Sequence, residues 1–177
     1  MSDFPCPPEA GDDGASDHLP GRAIPTTALA STHGGRVDLP SLAGRTVLFV
    51  FPSPGDAASQ GLGDAIAAAP VSQTGGFRDA YAELRGLAIS QVYGLSSSPL
   101  PDLVETARRL HLPFALLSDE DGALQAALDL PQFERDGALH LRRISLIFEA
   151  GRISKVFYPV LAPAGNVEEI LAYLREA

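Results

Sequence analysis

At 177 residues, with 45% hydrophobic and 20% charged side chains, the chain is long enough for one domain with a sizeable buried core. A net charge of -9 argues against a nucleic-acid partner, because phosphate binding needs clustered Lys and Arg. No apolar run approaches the roughly 18 to 20 residues of a membrane span; the best, Val47–Phe51, is strand-length, so no membrane partner is expected.

Residues 1–20 are rich in Pro, Gly, Ser and acid, with almost no bulky apolar side chain. Such a stretch cannot bury enough surface to offset its ordering entropy, and it reads as a disordered acidic tail ahead of a domain over 21–177. It lacks the basic start and apolar stretch of a signal peptide. The single cysteine, Cys6, excludes an intramolecular disulfide and fits a reducing cytoplasm.

From Ala23 a strand rhythm begins. Thr27–Ser31 and Arg36–Leu39 flank Gly34-Gly35, a dipeptide that supplies the positive φ of a tight hairpin turn. Thr46–Phe51 is apolar at nearly every position, the pattern of a central strand covered on both sides, and Pro52 and Pro54 close it. A long loop, Ser53 to Ser72, follows; loops of that length inside a compact domain are usually functional or mobile.

Phe77, Ala80, Tyr81 and Leu84 recur at helical spacing, and Leu87–Gly94 reads as the next strand. Asp102–Leu110 reads as a helix with Asp102 as its cap after Pro101. Phe114–Leu117 reads as a strand and Asp121–Leu130 as a short helix. Leu141–Phe148 and Ile153–Tyr158 form a hairpin around Glu149-Ala150-Gly151. The last helix starts at Asn166, with Glu169 as its capping-box partner and Val167, Ile170, Leu171 and Leu174 inward. Alternating β and α predicts an α/β fold, a central mixed β-sheet with flanking helices. A closing antiparallel hairpin and helix make the order thioredoxin-like.

Four stretches then carry a family resemblance. Residues 39–52 (Leu-Pro-Ser-Leu-Ala-Gly-Arg-Thr-Val-Leu-Phe-Val-Phe-Pro) form a turn and a strand ending in Phe-Pro. Residues 73–84 (Gln-Thr-Gly-Gly-Phe-Arg-Asp-Ala-Tyr-Ala-Glu-Leu) are close to Cys-Gly/Ala-Phe-Arg-Asp-x-Tyr-x-Glu-Leu. Residues 92–97 with 112–122, and residues 142–153 with their Arg-x-Ser strand, complete the set. In this order they resemble the peroxiredoxins of the Q type (the bacterioferritin-comigratory group, in the AhpC/TSA superfamily of redoxins).

The resemblance implies antioxidant, thiol-dependent reduction of hydroperoxides, an oxidoreductase activity. A thiolate at the amino end of a helix attacks the O–O bond, with its pKa lowered by helix amides and an arginine. The sulfenic acid so formed is resolved by a second thiol. The implied partners are a hydroperoxide substrate and a thioredoxin-type reductant, with no cofactor and a monomeric or homodimeric state.

Counting forward through the loop places the peroxidatic position at Ser72; counting back from Phe77-Arg78-Asp79 places it at Pro70, and the resolving position at Gly75. None of these carries sulfur. Serine, isosteric with cysteine, makes Ser72 the favoured position. Arg143 matches the family's active-site arginine, with Arg142 as the alternative one register away.

The chain is therefore expected to be inactive as a peroxidase, either through cysteine replacement or by divergence. A non-catalytic redoxin-fold binding or regulatory module is the alternative. Cys6, beside Asp3 and Glu9, is not expected to substitute. His18, His33, His111 and His140 show no ligand spacing, so no metal is expected. Gly61-Leu62-Gly63 follows no strand and reads as loop rather than a nucleotide site. Arg78 and Asp79 read as a solvated pair.

Overall fold

The computed structural model describes residues 12–52, 73–135 and 137–177. Cys6, the loop Ser53–Ser72 with Gly61-Leu62-Gly63, and both candidate peroxidatic positions, Ser72 and Pro70, lie outside them.

A hairpin opens the sheet. β1 (Ala28–Ser31) pairs antiparallel with β2 (Arg36–Asp38), and Gly34 and Gly35 turn the chain at φ of 92° and 69°. After a 3₁₀ turn, β3 (Arg45–Val50) runs through the middle of the domain. Helical residues 73–79 (α1) and α2 (Tyr81–Gly86) follow, separated by a turn at Ala80. Next come β4 (Ile89–Ser96), α3 (Leu100–Arg109), β5 (Leu116–Ser118) and α4 (Ala123–Leu128). β6 (Gln132–Arg135) and β7 (Ala138–Leu141) form a separate ribbon, and β8 (Ile144–Glu149), β9 (Arg152–Phe157) and α5 (Asn166–Glu176) complete the chain.

The seven-stranded sheet has the order β2-β1-β5-β4-β3-β8-β9. β3 pairs parallel with β4 and antiparallel with β8, so the sheet is mixed, as the sequence implies. β3 shows why both faces are covered. Val47, Phe49 and Phe51 join Phe77, Leu103, Val167, Ile170 and Leu171 on one face; Leu48 and Val50 join Leu19, Leu124 and Leu128 on the other. Strand side chains alternate, so an unbroken apolar run must bury both sides.

Gly94 in β4 sits between Phe49 and Leu116. A Cβ there would meet Leu116 Cδ2 at 2.6 Å and Phe49 Cζ at 2.7 Å, so it is the lack of one that lets the two side chains close over the strand. Gly94→Ala is therefore expected to destabilise by about 1–3 kcal/mol through overpacking, read as a lower urea midpoint at unchanged slope.

The elements differ from the sequence reading at informative places. α3 begins at Leu100, not Asp102, with Pro101 inside its first turn, where a missing N–H costs nothing. Asp102 is thus an acid in the first turn, favoured by the helix dipole, and not the cap. α4 is cut to six residues because Gly122 and Asp129 adopt left-handed conformations (φ 67° and 50°) at its two ends. Its first amides are held from a distance: the Asp119 carboxylate accepts from Leu124 N–H at 3.0 Å and Gln125 N–H at 2.8 Å.

Residues 12–20, read as the end of the tail, pack on the domain. Leu19 is fully buried in the core beside α4, and the His18 ring Nε2 lies 2.9 Å from the Leu128 carbonyl. Gly21 and Ile24 then bond to Ile153 and Gly151 along the outer strand. A composition-based reading undervalues the single leucine that anchors this segment. At its start, Tyr158 donates to Asp13 at 3.0 Å; burial first and this bond second push the Tyr158 hydroxyl up to about 12.

Candidate active site

The site is assembled from β8, α1 and α5. Phe77 of α1 stacks face to face on Phe49 of β3, with ring centroids 4.2 Å apart and planes within 5°. Gln73 lies four residues earlier on the same helix face, so the stack that pins Phe77 to the sheet also turns Gln73 inward. Gln73 is fully buried.

From β8, the Ser145 side chain projects to the same sheet face as Ile147, and it too is fully buried. From α5, Asn166 is the first residue, one turn ahead of buried Ile170. Asn166 was expected to cap the helix; Gly165 occupies the cap, and no side-chain cap bond forms. Asn166 instead turns into the interior with none of its surface exposed.

These three side chains form one buried chain of hydrogen bonds. Ser145 Oγ donates to Asn166 Oδ1 at 2.6 Å, and Gln73 Nε2 donates to the same oxygen at 3.3 Å. Arg143, immediately before β8, donates from Nη1 to Gln73 Oε1 at 2.7 Å. Arg143 is half-buried, so a permanent cation is held at the amino end of the described part of α1. Asn166 Nδ2 has no partner among the described residues.

The two candidate arginines diverge. Arg142 donates from Nε to the Gln132 carbonyl at 3.1 Å, lies over the Phe133 ring at 6.0 Å, and so belongs to the β6–β7 ribbon. Arg143 is the one bonded to α1.

Gly75 lies in α1, where, among the described residues, a Cβ would meet only Arg78 Nη2, at 3.9 Å, which is ordinary contact. Arg78 is paired with Asp79 at 2.8 Å at the surface, and this bond holds the Asp79 carboxyl below the usual range. Among the described residues no group of His, Cys, Asp and Glu could hold a metal ion. No described helix is long and apolar enough to cross a membrane.

Gln73, Ser145 and Asn166 were not singled out from the sequence as site residues. Gln73 and Ser145 lie inside two of the four matching stretches, which was the available signal. Asn166 carried a misleading one, since asparagine is a favoured helix cap.

Comparison with known proteins accords with this architecture. A profile of the redoxin family matches residues 19–174. A search of curated proteins gives no match. Among solved structures, peroxidoxin BcpB from Mycobacterium tuberculosis superposes with a TM-score of 0.73 at 20% identity, covering 90% of this chain and 98% of that one. Peroxiredoxin Q from Xanthomonas campestris gives 0.72 at 19% identity, covering 90% and 96%. A Cys→Ser mutant of the peroxiredoxin Q of Xylella fastidiosa gives 0.74 at 16% identity, covering 90% and 97%. With a thioredoxin-like sheet, structural neighbours of the peroxiredoxin Q type and a family match over most of its length, the chain belongs to the redoxin family.

Proposed function

We propose that this redoxin has the binding architecture of a peroxiredoxin without its redox step. The observation that carries the reading is Arg143 bonded to Gln73 at the amino end of the described part of α1, while residues 70–76 of the sequence contain no sulfur. In the peroxiredoxins it resembles, a thiolate attacks a hydroperoxide and a thioredoxin-type reductant restores it. Here the fitting ligand is still a small hydroperoxide or a similar polar oxygen species, drawn to the guanidinium. Ser72, or Pro70, stands where the nucleophile would be, and Gly75 where the resolving thiol would be. A hydroxyl at residue 72 stays protonated at neutral pH and has no accessible sulfenic state, so the O–O bond is not reduced.

A non-catalytic binding or regulatory module is the second reading. It is favoured by the loss of sulfur at two positions while the buried Gln73–Asn166–Ser145 network is intact. The test of the proposal is a hydroperoxide assay with a dithiol reductant on the chain and on its Cys6→Ser variant. Both are expected at the buffer rate; multiple turnovers by either would overturn the reading.

A further inference from the structure

We infer that Asn166 is a positioning residue for Arg143, acting through Gln73 and braced by Ser145. This rests on the reading of Arg143 as the working cation of the site. Donor and acceptor directions fix the arrangement. A guanidinium has only donors, so the 2.7 Å bond requires Gln73 to present Oε1 to Arg143. That turns Gln73 Nε2 toward Asn166, which must answer with Oδ1. The Ser145 hydroxyl donates to that same oxygen and holds it there.

One cation therefore sets the orientation of three neutral groups drawn from α1, α5 and β8. The dependence also runs the other way. Were Asn166 turned over, two amide NH₂ groups would face one another; Gln73 would have to turn as well and aim a donor at the guanidinium. Removal of the Asn166 oxygen leaves Gln73 Nε2 without its acceptor and loosens the side chain that supports the arginine from α1.

The unpartnered atom points to the same role. Asn166 Nδ2 is buried with no acceptor among the described residues, and such donors are rare in native cores. The neighbouring inward positions of α5 are Val167, Ile170, Leu171 and Leu174. Packing alone would place an apolar side chain at residue 166 too. A polar one that leaves a donor unsatisfied serves the arginine and not the core.

The test is NMR of the Arg143 guanidinium in the full chain, assigned by the signal lost in Arg143→Lys. Asn166→Leu, close in volume but without the acceptor, is expected to speed exchange of the Arg143 Nη protons about tenfold, the scale of one net hydrogen bond. Asn166→Asp keeps the acceptor and is expected to hold the native rate. Where Asn166→Leu does not fold, Ser145→Ala, which removes only the brace, carries the test with the same expected direction. A native rate in Asn166→Leu, or in Ser145→Ala in its place, overturns the inference; so does an Asn166→Asp rate as fast as that of the leucine variant. The readout needs no turnover, so its outcome is separate from that of the hydroperoxide assay.

Discussion

In a Cys6→Ser background, Ser72→Cys or Pro70→Cys is expected to convert the chain from background to catalytic consumption of hydroperoxide with a dithiol reductant. Residue 72 adjoins in sequence Gln73, the residue bonded to Arg143, and the permanent charge of Arg143 is the reason to expect a stabilised thiolate. The reaction then balances in two steps. Thiol and hydroperoxide give a sulfenic acid and an alcohol or water; the reductant's two thiols return the cysteine, releasing water and a disulfide. On whichever restored chain is active, Arg143→Gln is expected to lower turnover by roughly 10²–10³, the usual cost of losing one preorganised donor. Gly75→Cys, for which the helix has room, is expected to let a second thiol in the same chain resolve the sulfenic acid, seen as an internal disulfide by intact mass. Silence from both restored positions would reject the assignment of the site.

The largest stability effect is expected at the aromatic stack. Phe49 and Phe77 are fully buried, and Phe114 meets Phe49 edge-on at 5.7 Å. Phe77→Ala is expected to cost about 3–5 kcal/mol, the sum of lost transfer energy and the cavity left between α1 and the sheet. Because Phe77 and Gln73 share a helix face, the same change loosens the Arg143 bond, so site geometry and stability fall together. The two phenylalanines should also be non-additive: a double-mutant cycle of Phe49→Leu and Phe77→Leu by urea denaturation is expected to show coupling of about 0.5–1.5 kcal/mol. Strict additivity would mean that the stack is only area.

The sheet was legible because burial writes itself into sequence. The two-sided apolar run of β3 and the Gly34-Gly35 turn are local patterns with local causes. The β6–β7 ribbon was not read, although Asp136-Gly137 between short runs is a hairpin signal; its strands are only four residues each, and Glu134, Arg135 and His140 blur the alternation. The network at the site was illegible for a deeper reason. Asn166 meets Ser145 from 21 residues away and Gln73 from 93. Local preference sees an asparagine at a helix start and assigns a cap, whereas a tertiary contact decides where the side chain turns. Arg143 could be ranked above Arg142 from resemblance alone, but only the fold shows one bonded to α1 and the other over Phe133.

We propose that Arg143 and the described amino end of α1 form a setting for a thiolate that the sequence no longer supplies. Titration of the restored thiol by its thiolate absorbance, in Ser72→Cys and Pro70→Cys without Cys6, tests this most directly. A pKa well below the free value of about 8.5 at one of the two positions is the predicted result. Values at or above 8.5 at both would contradict the claim.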